Sequence, residues 1–290
     1  MKIISDLTRI GTCSWKYPSW KGIIYSEGVR GNYLSEYAKH YDTVEVDQWF
    51  WSLFPGNKVV LPKSEVVREY VSSVPENFYF SVKVPNSITL THHYTKNKNL
   101  PLLENQFFLS NQLFTEFYQL LQPMRGHVGA FIFQFEYLNK KKMPDQQVFQ
   151  EKFSEFISKC PSGMNYCVEI RNPNYLNTEY FSFLKSRNLS HVFLQGYYMP
   201  TIFNLYEKYH SFIEKFAVIR LMGGDRKAIE EKSQGNWNQL WEPKEEELNR
   251  LAVMMKELMI KKVRLFVNVN NHYEGSAPLT IDRIKSLLLP

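Results

Sequence analysis

Hydrophobic residues recur along the chain in two alternating rhythms. Short apolar runs of strand length fall at residues 9–14, 43–48, 79–85, 128–135, 166–171, 191–195, 216–222 and 263–270. Between them the apolar positions shift to three- and four-residue spacing. That spacing predicts helices over 33–41, 64–74, 102–121, 145–159, 178–187, 200–214, 243–260 and 278–289. Boundary signals support these limits. Pro62 precedes the second helix, Asp145 and Asn177 stand where caps belong, and 243–247 reads Pro-Lys-Glu-Glu-Glu, placing acid in a first helical turn. Strand alternating with helix implies parallel strands joined by right-handed crossovers. Eight such units in 290 residues imply a single closed TIM (β/α)8 barrel with outer helices. No Pro/Ser/Gly-rich linker divides the chain, so one barrel domain is expected over 1–290. A doubly wound open sheet is the alternative, but no G-x-G-x-x-G follows the first strand.

Composition narrows the class. At 44% apolar and 22% charged residues, the chain is that of a globular protein rather than a disordered one. No run of about 18 apolar residues occurs, so no membrane-spanning helix is expected. Residues 1–9 contain Asp6 and no continuous apolar stretch, which argues against a signal peptide. The three cysteines, Cys13, Cys160 and Cys167, form no C-x-x-C pair. A cytoplasmic, reduced protein is expected. The formal net charge of +6 mildly favours anionic partners but comes with no dense Lys/Arg block.

Parity along the strands identifies candidate chemistry. Side chains alternate between the two faces of a strand, and the outer face of a barrel strand meets apolar helices. Placing Val44 and Val46 outward turns Glu45 and Asp47 inward. The same rule turns inward Ser81 and Lys83; Gln134 and Glu136; Cys167, Glu169 and Arg171; Gln195; Arg220 and Met222; and Asn268 and Asn270. Buried charges must pair, meet water or meet a ligand. These lie toward the carboxyl ends of strands, where barrel enzymes place their sites. A structural salt-bridge network filling the barrel is the plain alternative.

Several ordered segments resemble a known family. They are Gly-Thr-Cys-Ser-Trp-Lys-Tyr at 11–17 with Trp20, Thr-Val-Glu-Val-Asp at 43–47, and Phe-Tyr-Phe-Ser-Val-Lys-Val-Pro at 78–85 with Thr91-His92. Later come Val-Glu-Ile-Arg at 168–171, Val-Ile-Arg-Leu at 218–221, and Asn268 with Asn270-Asn271. The pattern, spread over nearly the whole chain, resembles the YecE-like family, domain of unknown function 72. The resemblance implies a TIM barrel and no particular reaction. This chain departs from the family pattern at Cys13 (usually Ser), Asp47 (usually Asn), Phe135-Glu136 (usually Pro-Pro) and Met222 (usually His). The last departure argues against His-dependent chemistry at that point.

The functional expectation is a cofactor-free enzyme of hydrolase or lyase type acting on an anionic or phosphorylated small molecule. Glu45 and Glu169 are the candidate acid/base pair. Lys83, Arg171 and Arg220 are candidates for gripping negative charge, with Asn268, Asn270, Gln134 and His92 as further substrate contacts. Trp15, Tyr17, Trp20, Trp49, Phe50 and Trp51 follow the first two strands and offer either a stacking platform or a hydrophobic plug. Gly223-Gly224-Asp225-Arg226 follows the seventh strand, where barrels often bind phosphate, and reads otherwise as a plain turn. No metal is expected, because adjacent His92 and His93 point apart and the later strands end in amides and Arg. No G-x-S-x-G or Walker loop occurs. Two other readings stay open: a nucleic-acid-binding barrel related in shape to endonucleases, and a non-catalytic ligand-binding barrel.

Overall fold

In the computed structural model, residues 6–28, 30–95 and 101–289 are described. Residues 1–5, part of the stretch read for a leader, lie outside them. Eight parallel strands close into a barrel: β1 (Thr8–Thr12), β2 (Thr43–Val46), β3 (Tyr79–Lys83), β4 (Val128–Phe135), β5 (Tyr166–Ile170), β6 (Ser190–Gly196), β7 (Phe216–Gly223) and β8 (Arg264–Val269). Each strand pairs with its neighbours in sequence, and β1 closes the ring against β8 over five registered pairs, from Thr8 with Leu265 to Thr12 with Val269. All eight lie where the apolar runs placed them.

The seam between β1 and β2 is the narrowest. A single registered pair, Thr12 with Val44, joins the two strands. The Tyr37 hydroxyl bridges them as well, accepting from the Thr12 amide and donating to the Thr43 carbonyl, each at 2.9 Å. A Cβ at position 11 would stand 2.0 Å from the Thr43 carbonyl oxygen, so only glycine fits between these backbones. Tyr37 reaches the seam from the short helix Tyr33–Tyr37, which Asn32 caps by accepting from the Leu34 and Ser35 amides.

The barrel interior is layered, as parity expects. Ala130, Ile132, Cys167, Val192, Val218, Phe216 and Phe266 form an apolar floor that is separate from the outer core. Two residues further along β4, β5, β7 and β8 the inward positions become Gln134, Glu169, Arg220 and Asn268, all buried. The outer core is rich in aromatic rings. Phe114, Phe131, Phe133, Phe153 and Phe156 pack edge-on or tilted between β4 and the two helices that follow β3 and β4.

Three expectations need correction. Gln195 faces outward, donating to the Glu247 carboxylate at 2.9 Å and accepting from the Ile202 amide at 3.1 Å. Leu194 takes the interior place instead, beside Cys13 and Met222. The helix expected over 102–121 is confined to Asn111–Leu120. It starts there because the Ser110 hydroxyl caps the Leu113 amide, while the preceding stretch pairs Glu104 with His92 in an isolated antiparallel bridge. The helix expected over 200–214 covers only Ile202–Tyr209, with a 3-10 turn at His210–Phe212. Two elements were not anticipated. One is the antiparallel ribbon of Leu53–Phe54 with Lys58–Val59. The other is the helix Arg226–Ser233, whose mostly polar sequence hides its periodicity.

Candidate active site

The site grows from one strand position. Arg220, on the inner face of β7, is only 2% exposed. Its Nε donates to Glu45 Oε2 at 2.7 Å and its Nη2 to Glu45 Oε1 at 2.8 Å, a bidentate pair across the barrel from β2. Its Nη1 donates to Glu169 Oε2 on β5 and, at 3.3 Å, to Gln134 Oε1 on β4. Arg171 holds the second oxygen of Glu169 through Nε at 3.1 Å and Nη2 at 3.0 Å. Asn268 on β8 donates to Glu45 Oε2 at 3.3 Å. Side chains from β2, β4 and β5 therefore converge on the one guanidinium from β7, and β8 reaches it through Glu45. The Asn268 Oδ1 and the Ser81 hydroxyl, both buried, have no protein partner there.

These contacts fix protonation. Burial works against ionising Glu169, but the charges of Arg220, Arg171 and Lys83 outweigh it and hold the carboxyl at about 2. Asp47, half-buried just beyond β2, behaves in the opposite way. Burial, reinforced by the charge of Glu45, raises its carboxyl to about 6. Burial and then Glu45 push the Cys13 thiol well above its usual range, so it is not a reactive thiolate.

Lys83 is the exception in the cluster. It is 8% exposed and, among the described residues, its Nζ donates no hydrogen bond and forms no ion pair. Its Nζ lies 3.9 Å from the centroid of the Phe50 ring. Burial and the neighbouring Arg220 cation pull its ammonium below the usual lysine range, against the pull of Glu45, Glu169 and Asp47. Arg171 is the second cation with room to act. Its side chain is 29% exposed and its guanidinium lies over the Tyr197 ring at 4.9 Å.

Of the other residues expected at the mouth, some lie elsewhere. Trp20 is fully buried between Tyr17 and Tyr25, so it supports the loops and cannot stack on a ligand. Trp15 and Trp49 pack on Tyr70. Of the six aromatic residues expected as a platform, only Trp51, at 63%, is exposed. Tyr17 stays at the mouth, its phenol raised by burial and by the charge of Asp47. His92 accepts or donates through Nδ1 to the Thr91 hydroxyl at 2.9 Å and makes no bond to the Arg220 cluster among the described residues. Asn270 is a turn former, its Oδ1 accepting from the His272 amide at 2.9 Å. Glu136 lies beyond the end of β4 and pairs with Lys142 at 2.6 Å. In the segment after β7, Asp225 caps the helix by accepting from the Ala228 amide, and Arg226 is engaged by Glu230, so the loop keeps few donors for a phosphate.

One mouth residue escaped the sequence reading. Tyr197 follows Gly196 at the end of β6, and both Tyr197 and Tyr198 have positive φ, 53° and 62°. Such backbone is uncommon for aromatic residues and tends to collect at functional rims. The Gly-Tyr-Tyr step at a strand end was its only signal. Among the described residues no three His, Cys, Asp or Glu side chains come together as a metal site. A cavity lined by Asn165, His191, Lys215 and Phe216 opens at the opposite, amino-terminal end of the strands and shares no residue with the cluster.

Over residues 9–289 the sequence matches the family model described as "Protein of unknown function DUF72". Two solved structures of DUF72 family proteins are similar. One, from Enterococcus faecalis V583, is 20% identical over 97% of this chain and 95% of its own, with a TM-score of 0.67. The other, from Thermotoga maritima MSB8, is 19% identical over 97% and 98%, with a TM-score of 0.65. At these identities the likeness is one of fold. No curated protein matches the sequence.

Proposed function

The chain belongs to the DUF72 family, whose description names no reaction, and from its own charge cluster we propose that the barrel mouth is the active site of a hydrolase- or lyase-type enzyme acting on an anionic small molecule. One observation carries this reading: once Glu45, Glu169 and Gln134 have taken up Arg220, the buried Lys83 is a cation without a counter-charge in contact among the described residues. Burying an unpaired cation is costly, and a bound anion recovers that cost. Arg171, partly exposed and bonded to the Glu169 carboxylate of the same cluster, is the second arm of the grip.

The division of labour differs from the one suggested by the sequence. Arg220, a grip candidate there, has its donors committed and acts as the brace of the site. Glu169, held at about 2, stays ionised at neutral pH and carries protons poorly. With Glu45 it supplies fixed negative charge that orients Arg220 and Arg171. Proton transfer falls to Asp47, whose value of about 6 suits a group that both gives and takes a proton near neutrality.

Thermal melts at constant ionic strength test the grip. Inorganic phosphate at millimolar concentration is expected to raise the Tm of the wild type. Arg171→Ala should weaken phosphate at least tenfold, worth about 1.4 kcal/mol of binding. An unchanged wild-type Tm across the phosphate series would remove the anion site.

A further inference from the structure

We propose that Lys83 is a covalent catalyst whose amine condenses with a carbonyl carbon of the substrate, so that the substrate is a small anion carrying an aldehyde or ketone. This rests on the anion-site reading above and names the class of molecule that the site takes.

Lys83 differs from the other charged groups of the cluster in what surrounds it. Glu45 and Glu169 are each held by arginine, Arg171 by Glu169, and Arg220 by both carboxylates. Lys83 is also buried, yet among the described residues it has no carboxylate within ion-pair distance; it has a cation as neighbour and an aromatic ring against its Nζ. A lysine serving only as an anion anchor is best kept fully charged by nearby acids. A lysine that must act as a nucleophile needs a free lone pair, and burial next to another cation supplies one. The lowered ammonium of Lys83 agrees with that second role. Its neighbours complete the requirements. Arg171 can hold a carboxylate or phosphate group of the substrate, and Asp47 can deliver the proton that the step consumes.

The step balances without an oxidant or a reductant. The Nζ lone pair attacks the carbonyl carbon, the C=O π electrons move to oxygen, and a proton passes from the nitrogen to that oxygen to give a neutral carbinolamine. Asp47 then protonates the hydroxyl, the C–O bond breaks, and water leaves as the nitrogen lone pair forms the C=N bond. The net change is carbonyl plus neutral amine plus one proton, giving a protonated imine plus water. That imine withdraws electrons from the adjacent carbon, which is the activation a lyase-type bond cleavage requires.

Reductive trapping tests this directly. The full chain is incubated near neutral pH with pyruvate or, separately, with dihydroxyacetone phosphate, and then treated with sodium borohydride, which reduces an imine to a stable secondary amine. Intact mass and peptide mapping locate the adduct. The expected result is a single adduct on Lys83 with at least one probe, abolished in Lys83→Arg. A pyruvate adduct alone identifies a 2-oxo acid site; a dihydroxyacetone phosphate adduct alone identifies a sugar-phosphate site. No adduct with either probe, or adducts scattered over surface lysines, would overturn the proposal. Mapping on the wild type gives the answer even where Lys83→Arg does not fold. The phosphate melt on the same preparation separates the two levels. Phosphate binding without a trapped adduct overturns only the covalent step, whereas the absence of both removes the anion site as well.

Discussion

Replacing Arg220 with methionine is expected to destabilise the barrel by about 3–5 kcal/mol at pH 7, measured by urea unfolding. The size follows from what remains behind. Glu45 and Glu169 have fully buried side chains, and Arg220 satisfies both oxygens of one and one oxygen of the other. Without it, among the described residues Glu45 keeps only the 3.3 Å hydrogen bond from Asn268, deep in a barrel floored by Phe266, Val218 and Ile132. A buried ion left without its partner costs far more than the pair contributes when intact. The loss should shrink as the pH is lowered, because the stranded carboxyls then take up protons. Adding Glu45→Gln and Glu169→Gln to Arg220→Met should likewise recover much of the stability at pH 7, since the buried charges are gone. A single-variant loss below about 1 kcal/mol would show that the ions are solvated and the site is not sealed.

The second large effect is an acid sensitivity located away from the mouth. His191 lies on the outer face of β6, 3% exposed, with Nδ1 3.2 Å from the Tyr180 hydroxyl and its ring edge-on to Phe193. Burial lowers its imidazolium to about 3, against an ordinary value of 6.5, with the charge of Glu169 pulling weakly the other way. Between those values the unfolded chain binds more protons than the folded one. Stability from this residue is therefore complete above pH 6.5 and is lost as the pH falls toward 3. Each unit costs up to about 1.4 kcal/mol, so the step from pH 7 to pH 5 removes about 2 kcal/mol through His191. Asp47 acts in the opposite sense over roughly the same range, because its folded value is raised and acid favours its folded state. The comparison is therefore between proteins at the same two pH values. His191→Phe should lose about 2 kcal/mol less than wild type between pH 7 and pH 5. Equal losses would mean that His191 titrates in the fold much as it does in water.

The strands were legible because a barrel strand buried on both faces writes a continuous apolar run, and eight such runs at regular spacing leave little choice of fold. Parity was legible where one face is apolar and the other polar, as at Val-Glu-Val or Val-Ile-Arg-Leu. It failed in β6, where His191, Phe193 and Gln195 alternate with Val192 and Leu194, and neither set is clearly the polar one. Local hydrogen bonds set the helix limits near Ser110, and the apolar spacing before it does not reveal them. At the site, the sequence indicates which residues share the interior but not who pairs with whom. Arg220 and Lys83 read alike as inward cations. Only the three-dimensional arrangement makes one the fully bonded brace and leaves the other, among the described residues, without an ion-pair partner. Trp20 failed for a related reason: an aromatic residue after a strand looks the same in sequence whether it caps the mouth or lies beneath its loops.

The central claim is that four strands bring charge to one mouth, as Glu45, Lys83, Glu169 and Arg220, and leave Lys83 there to receive a negative group. A crystal structure of the protein grown in phosphate tests it most directly. Phosphate density is expected in contact with both Lys83 Nζ and the Arg171 guanidinium, with Arg220 still bonded to Glu45 and Glu169. A mouth without phosphate in which Lys83 pairs closely with Asp47 or Glu45 would contradict it.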